Sequence, residues 1–491
     1  MYIGIDLGTS GVKTILINAQ GEVLNSVSRS YDVLMPQPGW TEQDPLTWYD
    51  QTIEAIGDLV KGQESNILAL SFSGQMHGLV TLDSDDNVIR PALLWNDQRT
   101  IDQVDQLLEH FGVEGNQERT GNLPLTGLTA PKILWMKQQE PALFAQVSKI
   151  MLPKDYLAYR MTGVFATDVS DISGSHLYHP ASNHYNEELL AFCSITTDML
   201  PTILNSNAVV GLLRPELKDR FGLTNEVEVI IGGGDQAVGA VGVGVVEPGM
   251  ASLSLGTSGV LFVPTANAVV DSVNHLQSYR DASGHFHVMG VLLNAAGVIK
   301  WWLENVLGQR DYDAFYQSIA SLQLEDDLHY LPYMSGERFP VNDPKAKGVF
   351  YGLGYYHNQP SMSRAVVEGV TLSLKEAFEK VKQFQPDITT LRITGGGARS
   401  SVWVQMIADA LDVTVVTLQT EEGPSYGAAL LALSGHQNEP VSTVSSSRIQ
   451  PAKTIHPRAE WTTYFSRRYE QFVRLYPVIQ PAFQAVTSKR V

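Results

Sequence analysis

The hexapeptide Leu7-Gly8-Thr9-Ser10-Gly11-Val12 recurs letter for letter as Leu255-Gly256-Thr257-Ser258-Gly259-Val260, half a chain away. Strand-like runs flank each copy: Tyr2–Leu7 and Val12–Ile17 around the first, Ala251–Leu255 and Val260–Val263 around the second. Apolar, β-branched runs joined by a glycine-bounded loop read as a β-hairpin. A turn alone recurs by chance. A turn that repeats together with its strands, near the start of each half, points instead to duplication. The sequence therefore predicts two similar domains, 1–246 and 247–491, each opening on the same hairpin. Their boundary falls at Val245-Val246-Glu247-Pro248-Gly249, where Pro-Gly ends an apolar stretch. A length of 491 residues fits two or three domains.

Elsewhere the pattern alternates. Ile67–Phe72, Val227–Ile231 and Thr390–Thr394 read as buried strands, and Ser363–Val381 and Ser401–Leu411 as amphipathic helices. The tail from about 459 has helical spacing. This mixture gives an α/β class. Cys193 is the single cysteine, which excludes an intramolecular disulfide and favours a reducing compartment. Met1–Asp6 carries neither a basic nor an apolar leader, and no apolar run would span a bilayer, so the expected location is the cytoplasm. The net charge of −18 argues against nucleic acid or an anionic membrane as partner. It also means that any phosphate must be gripped locally, by backbone amides, a few cations and a bound metal.

Four glycine-rich turns offer such chemistry. Gly8, Thr9 and Ser10 form a loop whose N–H groups can converge on a phosphate. Asp6 precedes that loop at a strand end, where a carboxylate can hold Mg²⁺, and Lys13 follows it with a charge that can neutralise phosphate. A structural turn with a solvated acid and base is the plain alternative for one hairpin. The second copy, with Gly256 and Thr257, favours a polyphosphate held by both. Ile231-Gly232-Gly233-Gly234-Asp235-Gln236-Ala237 runs from strand through glycines into a helix start. Asp235 is either a helix N-cap or, with its approach cleared by glycine, the acceptor of a proton from an attacking hydroxyl. The same segment matches the dinucleotide fingerprint weakly, since no acid closes a second strand about 20 residues on. In Thr394-Gly395-Gly396-Gly397 the bare backbone can lie flat against an adenosine. No Gly-Lys-Ser/Thr phosphate loop occurs.

Asp6-x-Gly8-Thr9-Ser10-x-x-Lys13, the second Gly-Thr-Ser-Gly and the Thr394–Gly397 turn resemble the phosphate and adenosine motifs of the actin, hexokinase and sugar-kinase superfamily. Over nearly its whole length the chain is similar to the FGGY carbohydrate kinases. Gly127, Thr129, Lys132, Trp135, Gln138 and Gln139 sit in that family's first signature. Gly348–Leu353 and Arg364–Glu368 approximate the second, which Ser361 breaks by standing where a larger polar residue is usual. Gln75-Met76-His77-Gly78 and Leu94-Trp95-Asn96-Asp97-Gln98-Arg99 look like the branch that takes D-xylulose. The resemblance implies two ribonuclease H-like domains flanking an ATP and sugar cleft, and a homodimer.

It further implies ATP-dependent phosphorylation, with Asp235 as general base and Asp6, with Asp235, at Mg²⁺. Met76, His77, Trp95, Asp97 and Gln236 would contact the sugar. Gly8, Thr9, Ser10, Lys13, Gly256 and Thr257 would hold phosphates, and Gly396, Gly397, Ser400 and Lys300 would border the nucleotide. Other readings stay open: a kinase of ribulose, gluconate or glycerol, or an actin-like ATPase with no sugar pocket. A sugar-sensing regulator would need a DNA-binding head, for which the opening hairpin leaves no room.

Some residues carry quieter expectations. His285 and His287 share a strand face and lack a nearby third ligand, so an ordinary surface strand is expected rather than zinc. Trp135, Trp301 and Trp302 read as core. The acidic runs Asp83–Asp86 and Glu325–Asp327 read as solvated turns. Ser335–Pro340 resembles another family stretch, with Phe339 where threonine is usual, and its residues suggest no role.

Overall fold

The computed structural model describes residues 1–273, 276–324, 328–419 and 422–487. It divides into two compact units, each drawn from three stretches of chain. The first comprises Met1–Glu247, Ala266–His287 and Glu422–Ile449, the second Pro248–Thr265, Val288–Glu421 and Gln450–Val491. The sequence draws a single boundary, whereas the chain crosses between units more than once. The acidic run Glu325–Asp327 lies outside the described residues.

The first unit is built on a sheet of β1 (Tyr2–Leu7), β2 (Gly11–Ile17), β3 (Val23–Ser30), β4 (Ala69–Gly74), β5 (Val209–Leu212) and β6 (Glu228–Gly234). Their order across the sheet is β5-β6-β4-β1-β2-β3. β1, β2 and β3 form an antiparallel meander, β1, β4 and β6 run parallel, and β5 closes the edge antiparallel to β6. β4 is buried along its whole length, as a parallel strand covered on both faces must be. Ile3, Ile5, Leu7, Leu70, Phe72, Val229 and Ile231 form its core with the helix Pro45–Leu59.

The helix Gly423–Gln437 belongs to this unit because glycines admit it. A Cβ on Gly427 would stand 1.8 Å from the Val238 carbonyl oxygen, and one on Gly4 would stand 2.0 Å from that of Ser425. The helix thereby lies directly on β1 and against the helix Asp235–Gly242.

The second unit repeats the plan with β7 (Met250–Leu255), β8 (Gly259–Thr265), β9 (Phe286–Leu292), β10 (Thr390–Thr394), β11 (Thr414–Leu418) and β12 (Pro451–Ile455). Within a seven-stranded sheet, whose remaining strand is Gln277–Arg280 beside β9, these six run in the order β9-β8-β7-β10-β11-β12. β7 pairs antiparallel with β8 and parallel with β10, β10 runs parallel to β11, and β12 closes the edge antiparallel. The two hairpins thus head two sheets of like topology. The tail forms the helix Ala459–Thr487. Within this unit Tyr464 donates to Glu368 Oε1 at 2.7 Å and Arg468 to Oε2 at 3.2 Å, tying the tail to the helix Gln359–Lys382. Ser361 completes a capping box with Asn358 at that helix's start.

Two expectations change here. His287 is fully buried, with burial pushing its imidazole down to about 3, so it is a core residue and not part of a surface strand. Asp83–Asp86 is a turn, but Asp86 is no merely solvated acid: it accepts from Lys149 at 2.6 Å and Tyr159 at 2.7 Å.

Candidate active site

In the first unit the parallel strands bring their carboxyl ends to one edge, where ligands of open α/β sheets bind. Asp6 on β1 pairs in register with Ser73 on β4, and Ser73 pairs with Gly233 on β6. Strand spacing puts the Asp6 and Gly233 backbones roughly 10 Å apart. Two residues beyond Gly233, Asp235 opens the helix Asp235–Gly242, with Gly234 in the N-cap position. Asp235 is therefore the first helical residue and not the cap.

Both carboxyls are half-buried, and Asp6 Oδ1 accepts from Ser73 Oγ at 2.9 Å. Burial lifts Asp6 to about 6, against the pull of the Ser73 hydrogen bond and Lys13. Burial lifts Asp235 to about 7, and the charge of Asp6 adds to the lift while Gln236 opposes it. Two carboxyls with raised proton affinity at one strand edge suit a cation between acid and phosphate. Among the described residues no cluster of three or more His, Cys, Asp or Glu forms a metal cage. A pair fits Mg²⁺, which keeps waters and phosphate oxygens as its other ligands.

The glycines before Asp235 have another reason than the sequence suggests. Gly232 has φ 72°, and a Cβ there would stand 1.8 Å from the Phe72 carbonyl oxygen. A Cβ on Gly233 would meet Ser170 Oγ at 2.5 Å, and one on Gly234 would meet Met76 Cγ at 2.8 Å. The vacated space is filled by protein, which corrects the expectation of a path cleared for ligand. Beneath lies a buried group that sequence reasoning missed. Lys154 contacts Asp155 at 2.5 Å and Asp168 at 2.9 Å, with all three side chains fully buried. Asp168 accepts from Ser170 Oγ at 2.6 Å and Ser206 Oγ at 2.7 Å, and Ser170 Oγ in turn accepts from Gly234 N at 3.1 Å. This chain of bonds pins the backbone next to Asp235. Isolated Lys and Asp letters give no sign of it.

The Gly8–Gly11 loop is a tight turn closed by Gly8 N donating to Gly11 O at 3.0 Å. Thr9 Oγ1 donates to Gln75 Oε1 at 3.1 Å and accepts from Trp95 Nε1 at 2.9 Å, while Ser10 is exposed. Lys13 is paired with Glu422 within the unit. In the second unit the matching turn is closed by Gly256 N to Ser258 O at 2.9 Å, leaving Gly256 and Thr257 exposed. Thr257 O accepts from Ala295 and Gly297 N at 3.1 Å, which seats the turn on the helix Ala296–Lys300. Lys300 ends that helix, exposed. Glu337 braces the same loop by accepting from Leu293 N at 2.6 Å and Asn294 Nδ2 at 2.9 Å, which gives Ser335–Pro340 a structural task.

Ser254 on β7 pairs with Thr394 on β10, so the Gly395–Gly397 turn follows the neighbouring strand end. Nothing lies within 4 Å of where a Gly396 Cβ would be, while Gly397 packs on Trp403. Ser400 caps the helix Ser401–Leu411 through Trp403 N.

Of the sugar candidates, Met76 and His77 follow β4 after Gln75. Met76 is buried against Gly234. His77 takes φ 68°, and its Nδ1 lies 2.7 Å from Gly174 O. Its own carbonyl accepts from Lys132 Nζ at 2.8 Å and Thr129 Oγ1 at 3.1 Å. Trp95 is 41% exposed, with its indole N–H on Thr9. Gln236 is half-buried beside Asp235. Asp97 does not fit the sugar role. It is fully buried, with one oxygen accepting from Thr41 N at 2.7 Å and both accepting from Arg99 Nε at 2.9 and 3.0 Å. It is the anchor of its own loop.

Comparison with known proteins identifies the family and the fold. The model of the FGGY family of carbohydrate kinases, N-terminal domain, matches residues 1–242, and that of the C-terminal domain matches residues 251–436. The chain is 40% identical to the xylulose kinase of Escherichia coli (strain K12), covering 98% of this chain and 99% of that protein. The crystal structure of a xyloylose kinase from Brucella ovis superposes with a TM-score of 0.93 at 34% identity, covering 98% of this chain and 99% of that one. That of a gluconate kinase from Lactobacillus acidophilus gives a TM-score of 0.92 at 25% identity, covering 99% of each. The fold is that of a two-domain α/β sugar kinase. With both family models matched across most of its length, the chain belongs to the FGGY family of carbohydrate kinases.

Proposed function

We propose that the protein transfers the γ-phosphoryl group of ATP to D-xylulose, at the C5 hydroxyl, giving D-xylulose 5-phosphate. The observation that carries this reading is the row Asp6–Ser73–Gly233, which sets two carboxyls with raised proton affinity at one strand edge. Asp235 orients the attacking hydroxyl and accepts its proton. Met76, His77 and Gln236 bind the sugar, with Trp95 offering a face for stacking. Gly8, Thr9 and Ser10 in the first unit, and Gly256 and Thr257 in the second, are each suited to nucleotide phosphates, and Gly396, Gly397, Ser400 and Lys300 to an adenosine end. Lys13 is either a phosphate partner released from Glu422 or a fixed brace of the hairpin. Asp6 and Asp235 would hold Mg²⁺, which when bound neutralises charge on the transferring phosphoryl group.

The strong likeness to a protein named a xylulose kinase supports the sugar assignment. The likeness to a gluconate kinase supports a second reading, in which a sugar acid is the acceptor. The reaction is proposed to run in the cytoplasm, in a homodimer. Among the described residues no helix is long and apolar enough to cross a membrane.

An ADP-release assay across D-xylulose, D-ribulose, pentitols, glycerol and gluconate tests the assignment. D-xylulose should give the highest kcat/KM. A clear preference for another acceptor, or ATP hydrolysis that no sugar accelerates, sinks it. The Asp235→Ala variant should retain sugar binding and lose at least about a hundredfold in kcat, the scale of a general base.

A further inference from the structure

Glu337, from the stretch Ser335–Pro340 that the proposed reaction leaves unused, is a carboxyl only 2% exposed within the second unit. Three donors converge on it: Leu293 N at 2.6 Å and Arg338 N at 2.9 Å on Oε1, and Asn294 Nδ2 at 2.9 Å on Oε2. Burial raises its proton affinity, and Asn294 leads the hydrogen bonds that oppose the rise. A carboxylate accepts at both oxygens, whereas a glutamine of the same shape would set its NH2 against the NH2 of Asn294. Asn294 is buried as well, and its Nδ2 also donates to Gly336 O at 2.7 Å. The loop is thereby held at the Leu293 backbone and the Asn294 side chain.

The residues that follow carry this constraint to the Gly256–Thr257 turn. Ala295 N and Gly297 N donate to Thr257 O, and Ala296 N donates to Gly256 O, all at 3.1 Å. The helix Ala296–Lys300 starts without a side-chain cap, so the turn carbonyls take amides that a helix start leaves unsatisfied. The approach is close: a Cβ on Gly297 would stand 2.9 Å from Thr257 O. A trans peptide is planar, with its C=O and N–H pointing in opposite directions. Holding the carbonyls of Gly256 and Thr257 on the helix therefore turns Thr257 N–H and Ser258 N–H the other way.

We propose that Glu337 and Asn294 are positioning residues for the phosphates of a nucleoside triphosphate: by fixing Leu293–Ala295, they set the two peptide planes that aim Thr257 N–H and Ser258 N–H at phosphate oxygen. This rests on the reading that the Gly256–Thr257 turn takes nucleotide phosphate. Glu337 and Asn294 act through the turn and touch no reacting atom.

The test measures dissociation constants of the full-length protein for MgATP and for adenosine by titration calorimetry, with the melting temperature beside them. Glu337→Gln and Asn294→Ala should each weaken MgATP about threefold to tenfold, the worth of one hydrogen bond. Adenosine should stay within about twofold of wild type, because it has no phosphate for the turn to meet. Ser363→Ala, a control, breaks the 2.9 Å bond from Trp302 Nε1 to Ser363 Oγ elsewhere in the unit. It should lower the melting temperature and leave both constants within about twofold. Lost folding would show as a lower binding stoichiometry, not as a changed ratio of the two constants.

MgATP binding that stays at the wild-type value in either Glu337→Gln or Asn294→Ala overturns the proposal. So does a parallel weakening of MgATP and adenosine, or an equal MgATP loss in Ser363→Ala. Thr257→Asp separates the brace from the reading beneath it, since Thr257 is exposed and a carboxylate there repels phosphate. Should Thr257→Asp leave MgATP binding unchanged, the turn takes no phosphate and the reading itself fails. Should it weaken MgATP about tenfold or more while the Glu337 and Asn294 variants do not, the turn stands and the brace is refuted.

Discussion

Asp235 shows what a buried candidate site carboxyl does to the rest of the protein. Its folded proton affinity is lifted to about 7 from an ordinary 3.8, mainly by burial and then by Asp6. The folded state therefore binds this proton more tightly than the unfolded chain. Stability contributed by the protonated form is lost as pH rises through the window between the two values. Above about pH 7 the folded protein holds an unfavourable charge in full. Asp235→Asn never ionises, so in the metal-free protein at pH 8 its first thermal transition should lie above wild type by about 3 °C or more. The gap should shrink steadily as pH falls toward 5. Scanning calorimetry at several pH values reads this directly, and a variant that melts lower than wild type at pH 8 would show that Asp235 stabilises the fold. Asp97 illustrates the opposite case. A buried carboxylate already saturated by Arg99 and Thr41 has no capacity left for a ligand.

Two glycine turns follow parallel strands, one in each unit, and look alike as sequence but differ in kind as structure. Gly232 sits at φ 72° against the Phe72 backbone, so Gly232→Ala should abolish soluble folded protein or sharply lower its melting temperature. Gly396 faces open space. Gly396→Ala should leave the melting temperature within about 1 °C, yet raise KM for ATP roughly tenfold, as one methyl forced into a ligand contact does. An unchanged KM would move the adenosine elsewhere. The same contrast shows what was legible. The hairpins, Thr390–Thr394 and Ser401–Leu411 were readable because hydrophobic period and turn chemistry are local. The entry of Glu422–Ile449 into the first unit was not, since it depends on glycines at 4, 242 and 427 meeting across the sequence. The left-handed backbone at His77 and the buried Lys154 group were hidden for the same reason. The first is held by Thr129, Lys132 and Gly174, and the second links Lys154 through Asp168 to Ser206 and, through Ser170, to Gly234.

At the scale of the whole molecule the governing quantity is charge. The chain carries −18, and the cation nearest the Gly8–Gly11 turn in sequence, Lys13, is already paired with Glu422. A nucleotide complexed with magnesium is itself an anion, so its approach is opposed at long range and rewarded only on contact. Salt weakens the long-range part first: the Debye length falls from about 30 Å at 0.01 M to about 8 Å at 0.15 M, while short hydrogen bonds from backbone amides change little. With free Mg²⁺ held constant, kcat/KM for ATP should therefore rise, by about twofold, as ionic strength increases over that range. D-xylulose has no charge, and its KM should stay flat in the same experiment, which serves as an internal control. A steep fall of kcat/KM for ATP with added salt would mean that a local cationic field outweighs the net charge, and would make Lys13 or Lys300 the first side chain to remove.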